Sequence, residues 1–148
     1  MKKYLLFLII IIATCFSAQS QYHRPKAETI ELINNILKLR EGTRLYESGP
    51  EGKSNHLILL QKLDNESFKQ VVKTVDNKQI TAISTKISWS AFKALGYNDN
   101  RSELYIYFNK KILVNNIPTE VFSLYIPSDQ IDNVKSAINR LVDIAKEE

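Results

Sequence analysis

Two histidines, one cysteine and seven tyrosines are the chemically distinctive side chains of this 148-residue sequence. Cys15 is the only thiol, and it lies in an apolar stretch near the start. Downstream of that stretch there is no cysteine, so neither a thiolate nucleophile nor a Cys-type zinc site can form there. His23 stands in a polar lead-in and reads as a solvated side chain. His56 opens a predicted strand and reads as structural or exposed, and the two are too far apart in sequence to suggest a His-rich metal site. No GxSxG, HExxH, Walker A loop or GxGxxG is present. Asn98-Asp99-Asn100 with Ser102 and Glu103 gathers oxygen ligands in one loop, but without EF-hand spacing or its glycine, and reads as a polar turn. No catalytic residue, metal ligand or cofactor is therefore expected. Tyr105, Tyr107 and Tyr125 are the binding candidates. Exposed on one sheet face, they would suit a peptide, a glycan or a partner protein; covered by a helix, they would be core.

The elements that would position these residues follow from periodicity. Over Lys26–Arg40, Ile30, Ile33 and Leu37 with Leu32, Ile36 and Leu39 form a wide apolar face of helical period. Glu28 and Glu31 early, Lys38 and Arg40 late, complement the helix dipole, and Gly42 is a stop. Glu47–Ser54 is rich in turn formers and reads as an exposed loop. His56–Leu63 and Phe68–Val75 have strand length and composition, with a turn at Asp64–Ser67 between them. Lys78–Phe92 reads as one bent strand, or as two strands broken near Ser84-Thr85. Ala91–Leu95 could form a single helical turn, and Gly96–Asn100 a loop. Trp89 is expected to be packed.

The clearest strands are Leu104–Phe108 and Val121–Ile126, with a short Ile112–Val114 segment near them and a turn at Asn115–Pro118. Period-2 alternation puts Leu104, Ile106 and Phe108 on one face and Tyr105 and Tyr107 on the other. In the second strand Phe122, Leu124 and Ile126 oppose Ser123 and Tyr125. Ser128 or Asp129 then caps a long amphipathic helix in which Ile131, Val134, Ile138, Leu141 and Ala145 recur at helical spacing. Helix, many short strands, helix is an α+β order: an antiparallel, strongly bent sheet or partly closed barrel. It excludes the alternating pattern of parallel α/β folds.

The first residues address the chain. Met1-Lys2-Lys3, an uncharged apolar run to Ala13, and Ser17-Ala18-Gln19-Ser20 have the three-part layout of a secretory signal peptide. Ala18 and Ser20 supply the small side chains that place cleavage before Gln21; a cut after Ala18 is the second choice. The apolar run is shorter than the about 20 residues a spanning helix needs, so no transmembrane span is expected in the mature chain. Ile12-Ala13-Thr14-Cys15 is an incomplete lipobox, because Thr14 replaces the usual Gly, Ala or Ser, and a lipoprotein anchored through Cys15 is the weaker reading. The expected organisation is a leader at 1–20 and one α+β domain at 21–148, secreted or periplasmic. Losing Lys2 and Lys3 leaves 18 basic against 16 acidic residues, and this near balance gives no argument for a nucleic-acid partner.

The Phe16–Gln21 leader ending, the Glu28-Thr29-Ile30-Glu31-Leu32-Ile33-Asn34 segment and the closing helix Ile131–Ala145 together resemble a family of small secreted Bacteroidetes proteins with a pleckstrin-homology-like fold. The resemblance covers most of residues 27–146 and is compositional. It implies a bent antiparallel sheet closed at one end by the C-terminal helix. The N-terminal helix departs from the usual pattern. No functional residue carries over, since the basic phosphoinositide loop is missing and Lys110-Lys111 is too little to replace it. The leading expectation is a non-enzymatic module that binds an unknown protein or small ligand in the cell envelope. The alternatives are a small-molecule or lipid carrier, or a cystatin- or NTF2-like enzyme, each with a pocket between sheet and terminal helix.

Overall fold

In the computed structural model, residues 25–49 and 52–148 are described. The leader with Cys15, and the lead-in with Tyr22 and His23, lie outside them. An N-terminal helix, a curled antiparallel half-barrel sheet and a C-terminal helix make an α+β fold. Helix α1 spans 25–38. Strands follow as β1 (Arg44–Gly49), β2 (Gly52–Leu63), β3 (Phe68–Lys73), β4 (Gln79–Thr85), β5 (Phe92–Asn98), β6 (Glu103–Val114) and β7 (Ile117–Tyr125), and helix α2 (Ile131–Glu147) closes the chain. The sheet order is β1-β2-β3-β4-β6-β5, with β7 on the other edge of β6. No described helix is long and apolar enough to cross a membrane.

Strand β6 organises the sheet. Its start pairs with β5 (Leu104 opposite Tyr97), its end with β4 (Leu113 opposite Thr85), and β7 runs along its other edge. Thus β4 and β5 are two pieces of one line, interrupted by a 3-10 turn at Trp89–Ala91. The stretch Lys78–Phe92 therefore holds one strand, β4, which ends at Thr85; residues 86–91 are not strand, and β5 begins only at Phe92. The helical turn expected at Ala91–Leu95 and the loop at Gly96–Asn100 are instead strand β5. Pairing with β6 overrides the weak local preference there. The expected loop at Glu47–Ser54 is also strand on both sides, with Ser48 opposite Lys53 and Gly49 opposite Gly52. Asn115 and Asn116, both at positive φ, form the two-residue hairpin turn between β6 and β7.

The core lies between the inner sheet face and the helices. Phe68, Phe108 and Phe122 stack at 5.2–5.8 Å centroid spacings, and Trp89 meets Phe108 edge-on at 6.1 Å. The Trp89 ring is buried and donates to the Asn65 carbonyl at 3.1 Å. From α2, Ile131, Val134, Ala137, Ile138, Leu141 and Val142 pack in; from α1, Ile33, Ile36 and Leu37. Leu32 and Leu39 are exposed, so the buried stripe of α1 is narrower than its sequence suggests. Helix α2 is capped one or two residues later than expected: Ser128–Gln130 is a 3-10 turn, Gln130 is the N-cap, and neither Ser128 nor Asp129 makes a capping bond.

Side chains seal the strand edges. Beyond Leu57, β1 no longer covers β2, and α1 takes over. Asn34 brackets Leu63, donating to its carbonyl at 2.8 Å and accepting from its N–H at 2.7 Å. Glu41 accepts the Gln61 N–H at 3.2 Å. The Gln61 carboxamide, 1% exposed, reaches β7, donating to the Tyr125 carbonyl at 2.9 Å and accepting its N–H at 2.8 Å. One side chain thus does for the half-barrel seam what a strand would do in a closed barrel. At Gly42, φ of +77° sets the turn from α1 into β1, and its N–H donates to the Ile58 carbonyl.

Candidate functional site

The outer face of β5, β6 and β7 carries the polar counterpart of the core. Alternation along β6 sends Leu104, Ile106 and Phe108 inward and Glu103, Tyr105 and Tyr107 outward. Register partners in an antiparallel pair share a face. Tyr125 opposite Glu103, Ser123 opposite Tyr105 and Val121 opposite Tyr107 therefore extend this face onto β7. All three candidate tyrosines lie on it. Tyr107 is 38% exposed, while Tyr105 and Tyr125 are half-buried. The Tyr105 and Tyr107 rings sit 6.4 Å apart at a 32° tilt. Gly96, the β5 neighbour of Tyr105, makes room: a Cβ there would stand 3.2 Å from Tyr107 Cε2.

Glu103 anchors the row. It is 6% exposed, and Tyr105 Oη donates to its Oε2 at 2.5 Å. That hydrogen bond, reinforced by burial and by the carboxylate charge, raises the Tyr105 phenol above its ordinary pKa of 10.0; Arg101 opposes the shift. The single phenolic proton of Tyr105 is thus committed to the Glu103 carboxylate, and the ring is held in place by that bond.

Two cavities flank the row. One, of about 240 Å³, is bounded by Tyr105, Val121 and Ser123 and by Gln70, Ala82 and Ser84 from β3 and β4. The other, of about 170 Å³, is lined by Arg40, Arg44, Asn100, Arg101, Ser102 and Tyr125. Of the residues 98–103 that read as a polar turn, Asn98 and Glu103 end β5 and begin β6, while 99–102 take 3-10 and left-handed conformations, with Ser102 at φ +50°. They bring Arg101 to the two arginines that flank the Gly42 turn. Sequence reading missed the three arginines, because they are scattered over two loops. Their one signal was two arginines four apart around a helix stop.

A third groove, of about 400 Å³, runs between α1 and β2, with Ala27, Ile30, Leu60 and Leu63 along it and Glu31 and Lys38 among its polar groups. His56 lies on β2, away from these tyrosines in register, opposite Leu45. Among the described residues no three His, Cys, Asp or Glu converge as a metal site would require. Compared with known proteins, the chain matches no family model, no curated protein and no solved structure.

Proposed function

We propose that this protein is a non-enzymatic binding module of the cell envelope, secreted or periplasmic after removal of residues 1–20, that presents the tyrosine face of β5–β7 to a partner. The observation that carries the reading is the split of β6 and β7: their inner residues are consumed by an aromatic core, while Tyr105, Tyr107 and Tyr125 stay accessible on the other side. Tyrosine suits such a surface, since its ring offers apolar area and its hydroxyl a polar tip. The same reading takes the curled sheet and closing α2 as pleckstrin-homology-like. The test compares the full chain with its Tyr105→Ser/Tyr107→Ser variant as bait in a cell-envelope extract. A partner retained by the parent and lost by an equally folded variant supports the face; a partner retained equally by both sinks it.

A second reading, a small-molecule or lipid carrier, is favoured by the α1–β2 groove, whose volume is within the range of ligand sites. It expects a fluorescent fatty acid to bind and Ile30→Arg to abolish that binding. No uptake of the probe by the parent chain ends that reading.

A further inference from the structure

We infer that the free edge of β7 at Ser123 is a docking site for an extended segment of a partner polypeptide, which bonds the Ser123 N–H and carbonyl as an added strand. This rests on the binding-module reading proposed above and names the chemistry of the partner.

The alternation of the ladder presents these groups. In an antiparallel pair, every second residue of a strand turns its N–H and carbonyl away from its neighbour. Those of Tyr125 face away from β6, because both bond the Gln61 carboxamide. Those of Val121 meet the Thr119 hydroxyl at 3.4 Å, longer than usual for a hydrogen bond. Ser123 lies between them, opposite Tyr105 in the same unbroken register, so its N–H and carbonyl face the same free edge. Among the described residues, no group bonds them there.

Elsewhere the chain seals its strand edges in one way. A carboxamide brackets the backbone, offering a donor and an acceptor together. Asn34 does so at Leu63 of β2 and Gln61 at Tyr125 of β7. Asn115 does so on β4, accepting from the Ile83 N–H at 2.9 Å and donating to the Thr81 carbonyl at 3.1 Å. Ser123 is the next edge position after Tyr125 and has no such bracket. In its place is the cavity of about 240 Å³, bounded by Phe68 and Phe122 of the core and by Gln70 and Ala82. Gln70 Nε2 donates to Gln61 Oε1 at 3.2 Å, which ties this wall to the neighbouring bracket. What the position lacks is therefore an amide, and an extended peptide supplies its donor and acceptor at strand spacing. The volume argues for a polymer over a free small molecule, since it lies below the about 300–1,000 Å³ of a small-molecule pocket. It takes one piece of a segment that continues beyond the cavity, whose rim is Tyr105.

The probe is trialanine, N-acetylated and C-amidated so that it carries no charge, titrated into the full chain and followed by amide chemical shifts. Saturable shifts centred on residues 121–123, with slowed amide exchange at Ser123, are expected. An analogue whose central N–H is replaced by an ester oxygen should bind about two- to tenfold more weakly, the scale of one neutral hydrogen bond. Two variants block the site by different routes. Ser123→Pro removes the edge donor and spares the β6 ladder, because that N–H points away from it, and should weaken the probe by a similar factor of about two to ten. Ala82→Leu fills the cavity from β4, leaves the edge intact and should weaken the probe at least as much; it decides the matter if the proline variant fails to fold. Shifts that are absent, spread over the surface, or unaltered in the folded variants overturn the inference. Self-association of the parent chain that Ser123→Pro abolishes makes a second copy the occupant and overturns it too. The tyrosine-face reading fails separately. An envelope partner kept by Tyr105→Ser/Tyr107→Ser sinks that reading, whereas one lost by that variant but kept by Ser123→Pro sinks only the edge site.

Discussion

Strands β6 and β7 carry two different chemistries on their two faces. Inward, Phe108 and Phe122 stack with each other and with Phe68, and no inward side chain from Leu104 to Phe108 has a hydroxyl. Outward, the intervening positions are Glu103, Tyr105 and Tyr107, with a hydrogen bond between the first two. The inner face gains from every methylene it removes from water. The outer face is only partly buried and gains much less, so its residue types are not accounted for by packing. That difference is what the proposed binding role of the outer face rests on.

The comparison is tested most severely at Phe122. Truncation by Phe122→Ala removes a ring that stacks on both Phe68 and Phe108 and should destabilise the fold by about 3–5 kcal/mol. Urea denaturation followed by far-UV circular dichroism measures it. A loss below about 1 kcal/mol would mean that the two faces are energetically alike.

The next largest effect is expected at the seam. Gln61→Met keeps the bulk but takes both hydrogen bonds from Tyr125, leaving its N–H and carbonyl without their partner. At about 1–3 kcal/mol for each polar group left unsatisfied, a loss of about 2 kcal/mol or more is expected. Amide exchange should accelerate first at Tyr125 rather than across β6. Unchanged protection at Tyr125 would show that the seam is held by something else. On the outer face, Tyr107→Ser should cost less than about 1 kcal/mol, in the usual range for partly exposed positions. A loss comparable to that of Phe122→Ala would return Tyr107 to the core and erase the contrast on which the functional reading stands.

The inner and outer sets of β6 and β7 were legible in the sequence because the side-chain period of a strand is two, and five alternating residues suffice to sort them. The stripe of α2 was legible for the same kind of reason, at period 3.6. Strand β5 was not. Phe92-Lys93-Ala94-Leu95-Gly96 has no strand pattern of its own, and its conformation comes from the ladder with β6, which includes a bulge between Phe92 and Ala94. Strand β1 was missed because the residues from Glu47 to Gly49 have turn-forming chemistry, while their extended shape comes from pairing across the hairpin. The tyrosine row needed only local alternation plus one register, Glu103 opposite Tyr125. The arginine cavity needed the α1–β1 turn, the β5–β6 connection and the end of β7 to meet, and no local pattern encodes such a meeting.

The smallest effect, and the finest test of the outer face, is its response to alkali. The Tyr105 phenol is held above its ordinary pKa of 10.0, first by its hydrogen bond to Glu103, then by burial and by the carboxylate charge. In the unfolded chain the same phenol ionises near its ordinary value. Between those two values the native state retains a proton that the unfolded state has released, so stability must fall as pH rises through that window. The contribution is fully present below pH 10 and disappears above the native pKa. Tyr105→Phe removes the titrating group, so the difference in stability between parent and variant should shrink on going from pH 9 to pH 11. Chemical denaturation at a series of pH values, with the phenolate absorbance recorded alongside, measures both. A difference that stays flat across the window would mean that Glu103 does not hold the phenol in its neutral form. Tyr105 would then be an ordinary surface tyrosine, not a ring anchored by its bond to Glu103.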